Sequence, residues 1–552
     1  MSVSVSAQPF RSEHRLTTAY FIVALIALSI GLLMGLFQGL EHAGINLYPL
    51  LSPIIKSYYQ GLTLHGVLNV LVWTTFFICG FLTFVTVHRL NRPLASLRLG
   101  WVTFWLMTAG LLLAAWPLLS NDATVLFTFY PPLQAHPAFY IGLTLVVAGT
   151  WLVLVNLVLT YRRWRRDNPG VRTPLAAFMS LVTMTMWTIA TFGVAAEMVF
   201  LLIPWSLGMV GGTDPLLART LFWFTGHPIV YFWLLPAYVS WYTMVPKQAG
   251  GKLFSDPMAR ASFILFLILS IPVGLHHQYT DPGVGQGWKF VHAVFTFGVF
   301  FPSLLTFFNV VASLELGGRA RGGTGWLMWI RRLPWGEPSF TAQVLAMILF
   351  AFGGISGLVN ASYNVNLAVH NTAWVPGHFH LTVGTAVTLT FMGILYWLWP
   401  YLTGKALWSK NVALAQAWTW FIGMAIFANA LHRLGLLGMP RRTAIGASPY
   451  LSLQPEWQAI LPLVGIGGAI LFLSGVLFFV NIVLTPLLSK EKARVEIPVA
   501  EALSGPEEAP AILDQWRPWL AIAAVLIVIA YGPVLVNLIT TTPLNVLGRR
   551  VW

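Results

Sequence analysis

Apolar runs of about 20 residues, separated by short polar stretches, recur along nearly the whole chain. A helix rising 1.5 Å per residue needs about 20 such residues to cross the hydrocarbon core of a bilayer. About thirteen runs meet that length, near 17–40, 62–88, 100–120, 138–161, 174–205, 218–245, 260–278, 290–314, 340–362, 374–402, 411–435, 458–487 and 518–540. The pattern predicts an all-α, polytopic membrane helix bundle of about thirteen transmembrane helices. The first run is long and is followed by further spans, so it reads as a span and not as a cleavable signal. The longest polar interval, 488–517, is expected to be a cytoplasmic loop between the last two spans. No internal repeat is evident, and a single domain is expected over 1–552.

Composition agrees with a protein whose solvent is lipid. Of 552 residues, 57% are hydrophobic and 9% charged, and the mean hydropathy is +0.74. The net charge of +14 would suit a nucleic-acid binder, yet its distribution gives a different account. With the N-terminus cytoplasmic and the C-terminus outside, 23 of the 31 Lys and Arg residues fall on the inner side. That asymmetry sets topology by the positive-inside rule and implies no nucleic-acid partner. The single cysteine, Cys79, lies in an apolar run and excludes a disulfide framework or a thiolate cluster within the chain.

Ionisable residues at membrane depth are costly and usually functional. Of the thirteen histidines, His14, His42, His88 and His136 fall at helix ends or in outer segments, where polar groups are cheap. The other nine are His65, His227, His276, His277, His292, His370, His378, His380 and His432. On this topology most of them share the outer half of the membrane, as a buried cofactor layer would require.

Three segments carry the chemistry. In "GHPIVYFWLLPAYVSWY", His227 and Tyr231 share a helix face, and Tyr238 and Tyr242 continue it toward the cytoplasm. Such a stripe is either packed aromatic core or, because buried hydroxyls need partners, a wet proton-conducting line. In "SIPVGLHHQYTDPG", neighbouring imidazoles on a regular helix diverge by about 100°. His276 and His277 therefore need irregular backbone, which Pro272 and Gly274 permit. With His227 they would supply three nitrogen ligands and leave one position open, a pattern suited to copper or a catalytic metal. In "VPGHFHL", His378 and His380 lie about 200° apart and point in nearly opposite directions. Each can ligate a different haem. His65, in "GLTLHGVLN", is the expected mate of His380, with Gly61, Gly66 and Gly377 giving a flat macrocycle room.

"GHPIVYFWLLP", "GLHHQYTDPG", "HNTAWVPGHFH" and "GLTLHGVLN" resemble the signature segments of haem–copper oxygen reductase subunit I, over residues 17–540. Ile229, where A-type members carry a glutamate, makes the resemblance one to the B-type, ba-type cytochrome c oxidases. The resemblance implies that His65 and His380 bind a low-spin haem b and that His378 binds a high-spin a-type haem. It implies one copper ion on His227, His276 and His277, with Tyr231 joined to His227 and donating to oxygen. Tyr238, Tyr242, Ser303 and Thr306 would form the single K-type proton pathway. Arg441 and Arg442 would clamp haem propionates, with His370 and Asn366 beside them. Close relatives have aspartate at the position of Asn366, so no carboxylate role is expected there.

The resemblance further implies a terminal respiratory oxidase of a bacterial or archaeal cell membrane. It would take electrons from cytochrome c through a subunit II with a dinuclear copper centre, reduce dioxygen to water and pump protons. A nitric oxide reductase-like enzyme and a quinol-fed oxidase are the alternatives within the superfamily. The presence of Tyr231, and the absence of glutamate from 220–280, favours dioxygen. A transporter or channel with structural histidines is the reading from a different class, and it would have no haem spectrum.

Overall fold

The computed structural model describes residues 10–445, 454–541 and 545–551, and the remainder of the domain expected over 1–552 lies outside them. Among the described residues, eleven helices are long and apolar enough to cross a membrane. They are Arg11–His42, Tyr58–Arg89, Leu97–Ser120, Pro137–Asp167, Leu175–Ser206, Gln286–Ala320, Pro338–Ala361, Trp374–Thr403, Lys410–Leu436, Pro455–Leu488 and Trp516–Thr541. The two other expected spans, sixth and seventh in chain order, are interrupted. The sixth consists of Pro215–Gly226 and Pro228–Thr243, which meet at His227. Pro228 has no N–H to continue the first helix, so the ladder restarts there. The seventh is Asp256–Leu269 followed by a 3₁₀ turn, Gly274–Gln278.

Serine oxygens start several helices by accepting an N–H three residues on: Ser57 from Gln60, Ser96 from Leu99, Ser255 from Met258 and Ser409 from Val412. The second and tenth spans form the interior, with 89% of each apolar stretch buried against 28% for the thirteenth. These two spans carry His65, His378 and His380.

Short strand pairs tie the loops together in keeping with thirteen crossings. Beyond the thirteenth span, Val546–Leu547 pairs antiparallel with Gly212–Thr213, and Arg549–Arg550 pairs parallel with Leu133–Gln134. The tail therefore meets the loops after the third and fifth spans, all on the expected outer side. The 488–517 segment does not hang free, because Ala502–Ser504 pairs with Leu253–Ser255. Buried Arg260 anchors it further, binding Asp256 at 2.5 Å and Asp514 at 3.6 Å. His14 and His88 are not loose at their helix ends. Their rings stack at 5.1 Å with Nε2 atoms 2.8 Å apart.

Candidate metal centre and its surroundings

The two interruptions bring three histidines to one point. His227 sits at the break in the sixth span, and His276 and His277 lie on the 3₁₀ turn that ends the seventh. One ring nitrogen from each falls within 4.8 Å of the others. His227 Nδ1 is 3.1 Å from His277 Nε2, and His227 Nε2 is 3.0 Å from the Tyr231 hydroxyl. The 3₁₀ turn is held from several sides. The Leu275 N–H donates to His292 Nδ1 at 3.2 Å, and the Gly274 N–H donates to the Tyr531 hydroxyl at 3.1 Å. His276 Nδ1 meets Thr296 Oγ1 at 3.0 Å, and the Trp223 indole stacks on His277 at 3.6 Å. A Cβ at Gly274 would strike the Trp223 carbonyl, so the turn needs glycine there. Three neutral imidazoles fixed by their surroundings fit a copper ion with an open position.

His65 and His380 face each other across a cavity of about 240 Å³ whose wall includes both of them, Arg441 and Arg442. Their ring centroids are 6.1 Å apart and their planes lie within 13°. Two metal–imidazole bonds of about 2 Å plus two ring radii span about that distance. His65 Nδ1 engages the Gly31 carbonyl at 2.8 Å and His380 Nδ1 the Pro376 carbonyl at 2.7 Å, which leaves each Nε2 for a metal. His378 turns the other way, its Nδ1 on the Gly353 carbonyl and Ser356 Oγ of the ninth span, each at 3.0 Å. Phe379, between the two, borders this cavity and a second one of about 200 Å³ lined by Ile229, Trp223 and Met198.

Besides the glycines expected to admit a flat macrocycle, two others give the imidazoles themselves room. Gly61, Gly66 and Gly377 abut Tyr48, Phe127 and His432, and Gly66 also lines the cavity between His65 and His380. A Cβ at Gly35 would come within 2.7 Å of the His65 ring, and one at Gly357 within 2.9 Å of the His378 ring. These two lie on the facing spans, where sequence adjacency gives no sign of them.

Above the cavity, Arg441 and Arg442 stand side by side in sequence without a carboxylate of the described residues bonded to either. Burial, then Arg442, pushes the Arg441 guanidinium down to about 9. Such a crowded cation pair suits carboxylates like the acidic arms of a haem. Arg441 donates to Asn371 Oδ1 at 2.8 Å. His370 bridges Asn366 Oδ1 and Thr280 Oγ1, at 3.0 Å each, and burial, then Arg441, pushes it down to about 4.

On the inner side, the expected hydroxyls meet. Tyr242 donates to Thr306 Oγ1 at 2.8 Å, and Tyr238 lies 3.5 Å from Ser303 Oγ. Ser262 of the seventh span, not foreseen from the sequence, is 3.0 Å from Thr306 Oγ1. Tyr231 and Tyr238 both pack on Phe266.

The family described as Cytochrome C and Quinol oxidase polypeptide I matches residues 15–470. The chain belongs to this family. It is 49% identical to cytochrome c oxidase subunit 1 of Thermus thermophilus, over 98% of this chain and 97% of that one. It is 28% identical to the subunit 1 of Thermostichus vulcanus, over 86% and 84%. A haem–copper terminal oxidase dimer solved by cryo-EM superposes with a TM-score of 0.91 at 40% identity, covering 98% of this chain and 95% of that one. The protein is thus the catalytic subunit of a terminal oxidase of the B-type, a multi-pass protein of a bacterial cell membrane. It works in a membrane complex with other subunits and carries haem and copper.

Proposed function

We propose that the subunit reduces dioxygen to water with electrons from cytochrome c and couples this to proton pumping through a single K-type pathway. The observation that carries the reading is the convergence of His227, His276 and His277 beside Tyr231, with His378 and His380 on opposite faces of the adjacent tenth span.

In this reading His65 and His380 hold low-spin haem b, His378 holds a high-spin a-type haem, and His227, His276 and His277 hold the copper ion CuB. When bound, these groups supply the electron transfer and the oxygen binding that side chains cannot perform. The protein supplies position and protons. Bonds from Nδ1 to backbone carbonyls fix the His65, His380 and His378 rings, so each presents Nε2. Arg441 and Arg442 hold the haem propionates, with His370 and Asn366 at the edge. The Tyr231 hydroxyl, 3.0 Å from His227 Nε2, is placed to donate a proton and an electron to oxygen and to form the expected side-chain link. Its proton is replaced from the cytoplasm through Thr306, Ser262, Tyr242, Ser303 and Tyr238, with water bridging the gap to Tyr231. Four electrons and four protons convert each dioxygen to two waters. In this reading a subunit II with a dinuclear copper centre delivers the electrons.

The test is spectroscopic and kinetic, on the intact purified complex. Reduced-minus-oxidised spectra should show one low-spin and one high-spin haem, and only the high-spin one should shift with CO. Oxygen consumption driven by reduced cytochrome c supports the reading. Turnover with quinol alone, or nitric oxide reduction in place of oxygen consumption, overturns it.

A further inference from the structure

Glu197 lies in the fifth span, one turn beyond its contact with the metal-bearing sixth span. That contact is close. A Cβ at Gly193 would come within 2.6 Å of the Leu221 carbonyl, and Thr225 Oγ bonds both the Val194 N–H and the Ala190 carbonyl. Glu197 is wholly buried, and neither carboxyl oxygen has a hydrogen-bond partner among the described residues. An ionised carboxylate in that position has no bonded counter-charge among the described residues to offset its desolvation, so its affinity for a proton is high. A neutral carboxyl still presents one donor and an acceptor, and buried polar groups without protein partners are met by internal water.

Three further observations single it out. First, three π-helical stretches occur among the described residues: Val67–Trp73, Thr382–Val387 and Met198–Leu202. Two begin just after His65 and His380, and the third begins directly after Glu197. Such bulges cluster at functional sites. Second, other buried polar atoms nearby are also without protein partners, namely the Tyr130 hydroxyl, Trp223 Nε1 and Arg219 Nε. Third, two of these groups lead on to the histidine turn. Tyr130 is within electrostatic reach of Glu197, its ring lies 6.4 Å from that of Trp223, and Trp223 stacks on His277. Arg219 covers the Tyr130 ring at 4.8 Å and pairs with Asp281 at 3.1 Å, just past the histidine turn.

We propose that Glu197 is a proton station on the outer side of the metal centre. It shares internal water with Tyr130, takes up a proton when the centre is reduced and releases it outward when the centre is oxidised. The inference rests on the reading of the chain as a proton pump. No bond other than O–H changes, and each proton taken from water is returned to water.

The experiment uses the complete oxidase, in lipid vesicles and as a film for infrared spectroscopy. In the reduced-minus-oxidised infrared difference spectrum, the parent should show a carboxylic-acid carbonyl band that shifts in D₂O, and Glu197→Gln should lack it. In vesicles, Glu197→Gln should retain its haem spectra but pump at least about twofold fewer protons per electron, and Glu197→Asp should restore pumping. A glutamine variant that keeps the band, or that pumps like the parent, overturns the proposal. A parent that pumps no protons overturns the pump reading instead, and the infrared band alone then decides the role of Glu197. If the glutamine variant fails to assemble, the aspartate variant decides: a displaced acid band supports the proposal and an unmoved one overturns it.

Discussion

The sixth and seventh spans break where they present histidines, whereas the second and tenth remain helical through theirs. The difference follows from what each set must do. Three imidazoles aimed at one ion must converge within a few ångströms, and neighbours on a regular helix diverge by about 100°. Only a broken backbone delivers His276 and His277 to the same point as His227. In the proposed reading each haem draws one imidazole from the tenth span, so a helix face suffices, and opposite faces of one helix would serve two haems. The copper-side ligands thus depend on local backbone restraint, and the haem-side ligands depend on the packing of whole spans. His276→Ala or His277→Ala should abolish copper, measured as metal per protein, and bring oxygen consumption to background with both haem spectra intact. His65→Ala or His380→Ala should abolish the low-spin spectrum, and His378→Ala the high-spin one, with copper retained. Loss of both haems on replacing a copper-side histidine would show that the two regions are one cooperative unit.

Tyr231 belongs to the broken side and, in the proposed reading, acts as a donor and not as a ligand. Tyr231→Phe should keep both haems and copper while oxygen consumption falls on the order of 100-fold or more, the usual weight of a positioned proton donor. Peptide mass spectrometry of the parent over 227–231 should show the loss of two hydrogens from the expected cross-link. A phenylalanine variant with full turnover would remove Tyr231 from the chemistry.

Much of this arrangement was legible in the sequence, and the reasons are local. The run lengths predict thirteen spans because crossing a bilayer sets a minimum length. The pairs His276–His277 and His378–His380 reveal their geometry because helical angles are fixed. Ser262, Gly35, Gly357 and Tyr531 were not legible, since each acts through a partner on another span. Ser262 meets Thr306 only because the seventh and eighth spans pack together, and nothing in a single apolar run records its neighbour. Glu197 is visible as a carboxyl in an apolar run. What the run does not show is that both its oxygens end up buried without a protein partner.

A third, smaller effect separates the inner hydroxyls from the metal region. Thr306→Val, Tyr242→Phe and Ser262→Ala should leave the haem spectra and copper unchanged and slow oxygen consumption by about tenfold, ~1.4 kcal/mol in the barrier. Thr306→Val should cost most, because Thr306 bonds both Tyr242 and Ser262. On the proposed single-pathway reading, with Ile229 in place of a second pathway's glutamate, substrate and pumped protons would share this route. The residual protons pumped per electron should therefore stay near the parent value in vesicles. Full turnover with pumping lost would require a second input.

The finest test of the comparison lies at the 3₁₀ turn. If its restraint sets copper affinity, loosening it without touching a ligand should weaken copper and spare both haems. Tyr531 reaches the turn from the thirteenth span and accepts the Gly274 N–H at 3.1 Å. Tyr531→Phe removes that acceptor and leaves a buried N–H without a partner. A lost hydrogen bond of this kind is worth about 1 kcal/mol, near fivefold in an equilibrium constant. Copper retention under chelator challenge should fall by about that factor. Gly274→Ala provides the opposite perturbation, pressing a methyl against the Trp223 carbonyl and displacing the same turn, with a larger loss of about 1–3 kcal/mol. Both variants should keep the haem spectra of the parent. Equal losses of haem and copper in Tyr531→Phe would place the restraint in the packing of the thirteenth span as a whole and not in this one hydrogen bond.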